Sequence, residues 1–225
     1  MYDASWFKTD LQIHQLLTVL RKRHLFDSTM VIVTSDHGEC LGERDQFRHG
    51  PFPYEESMHI PLLVKYPKDV GKAPGPDNRL TSTIDLMPTI TELTGCIVGH
   101  GETNGISMLD GGGRHEFVVN QRWMNRRGEL ERVRQRFPHA DWDWYDLGHV
   151  IALRDDRYKY VWTSRGPKFL FDLVSDPREE HNLAGANGTE VQRFERRLDN
   201  WWRNLDIQEG WDEERLCPKR RPLDR

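Results

Sequence analysis

The chain has 225 residues, room for one domain or one and a half at about 150 residues each. Lysine and arginine total 32 against 36 aspartates and glutamates, a net charge of −4, which excludes the basic excess of a non-specific nucleic-acid binder. Mean hydropathy is −0.77, and no apolar run approaches the roughly 18 residues of a membrane span. Three cysteines, Cys40, Cys96 and Cys217, lie at no metal-ligand spacing, and their odd number speaks against a disulfide framework. Met1 is followed by Tyr-Asp-Ala-Ser-Trp rather than the basic-then-apolar pattern of a signal peptide. The apolar fraction is 36%, low for a globular chain, but eight Trp and nine Phe each bury much area.

Residues 3–25 read as an amphipathic helix. Trp6, Phe7, Leu11, His14, Leu17 and Leu20 recur at three- and four-residue steps, with Lys8 and Arg21–Arg23 on the wet side. Asp27-Ser28 makes a turn, and Met30–Thr34 is a short, β-rich apolar run. A helix followed at once by a strand expected to be buried on both faces points to an α/β unit with a parallel sheet. Residues 36–53 are a loop broken by Gly and Pro, Ile60–Lys65 is a second buried strand, and 67–79 is a surface loop. Asp85 is placed to N-cap a helix running to Thr94, with Pro88 in its first turn and Gly95 at its C′ position.

Gly111-Gly112-Gly113 reads as a subdomain hinge. Glu116–Asn120, His149–Arg154, Tyr158–Thr163 and Lys168–Leu173 are expected strands, with Asp155-Asp156 as a hairpin turn. Thr189 and Gln192 form a capping box for a helix whose stripe is Val191, Phe194, Leu198, Trp201 and Leu205. The expected organisation is therefore an α/β part over 1–110 and an antiparallel sheet with one covering helix, near 189–205, over 111–225. Cys217–Arg225, basic and Pro-containing, is expected to be a loose tail.

The sharpest chemical signal is Thr34-Ser35-Asp36-His37-Gly38. Asp36 and His37 follow a strand end, where open sheets bind ligands, and offer a hard oxygen and a nitrogen to a divalent metal. Both are expected to point into one cleft. A carboxylate buried beside Val31–Val33 without a cation would cost several kcal/mol, and a metal is one remedy. His49 lies in a loop that must return to the same sheet edge, and its imidazole suits an oxyanion or a leaving group. Arg44 and Arg48 are further anion-binding candidates, each by default a surface charge. Cys40 is read as a packing residue. The aromatics Trp123, Trp142, Trp144 and Tyr145 either stack on a substrate ring or plug the small sheet.

Several blocks in order resemble the C-terminal half of a sulfatase. They are Thr34–Glu39 with Leu41-Gly42-Glu43, then Tyr54–Val64, Ile84–Ile90 through Gly95, and Gly105–Leu109. Tyr158-Lys159-Tyr160, Leu170–Leu173 and Asp176–Leu183 complete a match over roughly residues 1–205. The resemblance implies an alkaline-phosphatase-like parallel-sheet domain followed by a small α+β subdomain. It implies hydrolysis of sulfate esters with one divalent metal, most often Ca2+, with Mn2+ or Mg2+ as alternatives. Asp36 and His37 occupy the family's late metal-ligand pair. The Asp-His form is similar to choline-sulfatase and phosphonate-monoester-hydrolase relatives. His49 stands where the family commonly has a sulfate-binding Lys, so it must be protonated to do that work.

The family's nucleophile motif, Cys/Ser-x-Pro-x-Arg, does not occur in this sequence, and neither do its early Asp-Asp metal ligands. The chain is thus expected to be the C-terminal portion of a longer enzyme and inactive alone. Two other readings stand beside this one: a phosphodiester or phosphonate monoester hydrolase of the same superfamily, and a non-catalytic module that binds an anion or a partner.

Overall fold

The computed structural model describes residues 2–45, 47–49, 52–96, 104–109, 113–122, 135, 147–204, 207–212 and 217–220. Backbone contacts divide the chain into two compact units, Met1–Asp36 with Ile60–Asn78, and His37–His59 with Arg79–Arg225.

The first unit holds helix α1 (Tyr2–Lys22) and strand β1 (Val31–Thr34). Asp3 in the first turn and Arg21 and Lys22 in the last complement the helix dipole. The helix stops before residue 25 because His24 turns left-handed at φ 56°. Its N–H then reaches Arg21 O at 3.1 Å and that of Leu25 reaches Leu20 O at 2.9 Å, a Schellman ending. No residue of α1 is buried, and Phe7, on the expected core stripe, is 66% exposed. A hydrophobic period says that a face is apolar, not what covers it.

Strand β4 (Leu62–Lys65) pairs with β1 antiparallel, from Val31↔Lys65 to Thr34↔Leu62. The parallel pairing expected at this strand is not found among the described residues, and β1 is half-buried rather than covered on both faces. The chain leaves β1 at Thr34 and re-enters beside it at Leu62, so it returns to the end it left. A parallel partner would need a crossover back to the other end. Lys65 fixes the start of β1 by donating to Thr29 O at 2.9 Å and to Phe26 O.

The second unit is built on four antiparallel strands in sequence order: β5 (Val118–Arg122), β6 (Val150–Arg154), β7 (Tyr158–Thr163) and β8 (Lys168–Asp172). The alternation of side chains sorts its core into two faces. Ile151, Leu153, Tyr160 and Leu170 pack under Phe194 and Leu198 of helix α4 (Gly188–Asn204). Val150, Ala152, Val161 and Phe171 pack under Phe52 and Tyr54. The covering helix therefore lies on one face and the loop 37–59 on the other. The Asp155 carboxylate accepts the N–H groups of Arg157 and Tyr158 and closes the turn between β6 and β7. The α4 cap is Asn187, whose Oδ1 accepts the Glu190 N–H at 3.3 Å. Thr189 lies inside the helix, so the expected capping box begins two residues too late.

Helix α3 (Leu86–Thr94) ends on left-handed Gly95 at φ 69°. Asp85 is fully buried and reaches backwards, accepting the N–H of Ser82, rather than capping α3 forwards. It also accepts Ile106 N–H at 2.8 Å and contacts His115 Nε2 at 2.8 Å, which fastens the turn 105–108 to the helix start. At the end of the chain, Ile207–Asp212 (β9) and Cys217–Arg220 (β10) pair antiparallel, where a loose tail is expected. Gly111, Gly112, Trp123, Trp142, Trp144 and Tyr145 lie outside the described residues. Among the described residues no helix is long and apolar enough to cross a membrane.

Candidate functional site

Two residues past β1, Asp36 closes the first unit, and His37 opens the second. Asp36 is exposed, with the Ser35 hydroxyl 3.5 Å from its Oδ1. The desolvation argument for a metal at Asp36 therefore does not apply: an exposed carboxylate keeps its water. His37 is half-buried and its Nδ1 lies 2.8 Å from Gly38 O. A carbonyl only accepts, so in this contact Nδ1 is the donor. That is the arrangement that orients an imidazole toward a metal or an anion.

Gly38 is required by close approach. Its N–H donates to Ser57 O at 2.8 Å, and a Cβ there would stand 2.0 Å from Glu56 O. The next residues form a short hairpin of β2 (Cys40–Leu41) and β3 (Phe47–Arg48), with Cys40 opposite Arg48. Continuing that register by one residue sets Glu39 opposite His49. The hairpin thus brings together two histidines twelve positions apart. The His37 and His49 rings are 4.3 Å between centroids and tilted by 41°. Ligand atoms of His37, Glu39 and His49 all lie within 4.8 Å of one another. The sequence reading passed over Glu39. The signal for it was present: in an extended segment residues two apart share a face, and Glu39 is two beyond His37.

Cys40 is buried, with its Sγ 3.5 Å from Ser57 Oγ, a packing position as expected. Arg44 is not a free anion binder. Its guanidinium stacks 3.7 Å from the Tyr54 ring centroid, donates to Arg178 O at 2.6 Å and pairs with Glu56. Burial pushes the Tyr54 hydroxyl up to about 12, against the opposing pull of Arg44. The side chain of Arg48 lies outside the described residues.

A second group of possible ligands, Asp176, Glu180 and His181, has a local explanation. Asp176 accepts the backbone N–H groups of Glu180 at 3.2 Å and His181 at 2.8 Å. Partial burial raises its pKa, but these hydrogen bonds outweigh it and hold the carboxyl below its ordinary range. Asp176 therefore closes a turn.

Residues 1–96 match the Sulfatase family model. The choline-sulfatase of Rhizobium meliloti (strain 1021) is 31% identical over 188 residues, covering 81% of this chain and 32% of that protein. Arylsulfatase K of Canis lupus familiaris is 30% identical over 187 residues, covering 81% of this chain and 33% of its own length. Among solved structures, the phosphonate monoester hydrolase SpPMH from Silicibacter pomeroyi superposes with a TM-score of 0.71 at 28% identity. That match covers 88% of this chain and 39% of the other. The chain belongs to the sulfatase family, within the alkaline-phosphatase-like superfamily. It spans about a third of the length of the curated relatives it matches.

Sulfatases generally use a divalent metal. The described residues offer such an ion the His37 imidazole and the Glu39 carboxylate, with ligand atoms within 4.8 Å of each other and of His49; Asp36 is not in that group.

Proposed function

We propose that this chain supplies the late part of a sulfuric ester hydrolase site, in which Asp36 and His37 hold the divalent metal and His49 binds the sulfate. The observation that carries the reading is the pairing of the His37 and His49 rings at 4.3 Å on a hairpin that closes the loop after β1. A bound divalent ion would screen negative charge on the sulfate oxygens. Gly38 O accepts from His37 Nδ1 and so orients the ring. His49, when protonated, donates to a sulfate oxygen or to the departing alcohol. Calcium is the first reading for the ion, with manganese and magnesium as competitors. The imidazole nitrogen suits manganese better than calcium, since calcium takes oxygen ligands. Sulfate esters are the substrate class.

A second reading, hydrolysis of phosphonate or phosphate esters at the same residues, is favoured by the likeness to the phosphonate monoester hydrolase. Calorimetric titration of the chain with Ca2+ and with Mn2+ tests the metal assignment. Asp36→Ala and His37→Ala are each expected to weaken binding about tenfold or more, the scale on which metal sites respond to lost support. His49→Ala should spare the metal and abolish the histidine NMR shift on adding sulfate. Equal metal affinity in all three variants would remove Asp36 and His37 from the site.

A further inference from the structure

The face of the sheet that carries the loop 37–59 contains a charge. Lys159, on β7 between the core residues Tyr160 and Tyr158, is 1% exposed. Alternation along the strand sends it to the same side as Val161, toward Phe52 and Tyr54. Its ammonium donates to Pro53 O at 2.8 Å and to Glu55 Oε1 at 3.1 Å, and it pairs with Glu179. Glu179 is also buried, and its other oxygen accepts the Glu55 N–H at 2.7 Å, at the first residue of helix α2 (Glu55–Met58). The second oxygen of Glu55 takes Arg154 Nε at 3.2 Å. Two cations and two anions therefore balance at one place.

Stability alone does not explain this group. Buried ion pairs seldom outdo an apolar core of the same volume. Burial also holds the Glu179 carboxyl above its ordinary range although Lys159 opposes it. Glu179 further occupies a left-handed backbone at φ 56°, which a non-glycine residue adopts at a cost. What the group fixes is position. Glu55 opens the turn whose Glu56 and Ser57 carbonyls meet Gly38, the neighbour of His37. The residue before Glu179 takes hold of the hairpin tip, because Arg178 O accepts from Arg44. One short turn, 176–180, thus grips both the base and the tip of the hairpin that sets His37 against His49.

We propose that Lys159 and Glu179 are positioning residues, a buried ion pair that sets the spacing of the His37 and His49 imidazoles from the opposite side of the loop. The inference rests on the reading that these imidazoles form the site. It predicts that the pair can be removed without losing the fold but not without losing that spacing.

The test uses the full chain labelled with 13C-histidine and reads the nuclear Overhauser contact between the His37 and His49 rings. Lys159→Met/Glu179→Gln removes one charge of each sign and leaves Glu55 with Arg154, so the sheet is expected to fold. In this variant the contact between the rings is expected to vanish, while contacts across Val119, Leu153 and Val161 persist. A folded double variant that keeps the inter-ring contact at full strength overturns the proposal. Absence of that contact in the unmodified chain would instead sink the site reading, and this inference with it. Should the double variant fail to fold, native-state hydrogen exchange on the unmodified chain decides. The Gly38 and Glu55 amides are expected to open together with one free energy, and independent opening overturns the proposal.

Discussion

His149 illustrates how one buried side chain sets a pH response. It lies just before β6 and is 2% exposed. Burial, helped by the charge of Arg122, lowers its pKa to about 4 from the ordinary 6.5. The folded chain thus holds the imidazole neutral where the unfolded chain protonates it. The stability it contributes is full above pH 6.5 and is lost as pH falls toward 4. A urea midpoint measured from pH 7 to 4.5 should therefore drop, and His149→Gln should flatten that slope. An unchanged slope would mean that the ring is protonated in place. Gly38 makes a steric prediction. In Gly38→Ala the methyl would meet Glu56 O at 2.0 Å, and that atom is backbone, so it cannot swing aside. The cost should be about 1–3 kcal/mol, as for other overpacked sites. Metal affinity should fall with it, because the displaced segment carries His37. Thermal melting and titration on the same sample check both.

Within the sheet, the core strands read correctly from sequence because their signal is local. The alternation Val150-Ile151-Ala152-Leu153 sorts cleanly between the two faces, and both edges of β7 fall where expected. The helix stripe Val191, Phe194, Leu198 and Trp201 does lie on one of those faces. Phe194 is fully buried and stacks 5.8 Å from the Tyr160 ring. Phe194→Ala should cost about 3–5 kcal/mol, read from urea unfolding by tryptophan fluorescence. A loss below about 1 kcal/mol would mean that helix and sheet are not one cooperative unit. Elements whose signal is not local were less legible. The direction of β4 depends on where a 27-residue excursion returns, and no residue of β4 encodes that. At the candidate site, residue type pointed to Asp36, His37 and His49, of which the structure brings His37 and His49 together and leaves Asp36 exposed. Glu39 carried its signal only in its two-residue spacing from His37, which points to a shared face only once the segment before β2 is known to be extended. Arg44 looked like a surface cation until Tyr54 and Glu56 were brought beside it.

For the molecule as a whole, the decisive question is what these 225 residues do by themselves. Cleaving a sulfate ester requires a nucleophile in line with the leaving group, and covalent catalysis disappears without one. The sequence contains no Cys/Ser-x-Pro-x-Arg. The two described cysteines offer no substitute: Cys40 is buried against Ser57, and Cys96 is exposed at the end of α3. A metal held by few protein ligands is weakly bound and poorly fixed. General-acid help from His49 would supply at most about 100- to 10,000-fold. Residues 1–225 assayed alone with an aryl sulfate, in Ca2+ and then in Mn2+, should therefore show no enzymatic turnover. A longer polypeptide carrying the nucleophile motif upstream should turn over, and Asp36→Ala in that polypeptide should abolish it. Metal-dependent turnover by the 225-residue chain, lost in its own Asp36→Ala variant, would mean that it carries a nucleophile of another kind. The phosphonate monoester, assayed beside the aryl sulfate in the longer polypeptide, separates the two ester classes by their kcat/KM ratio.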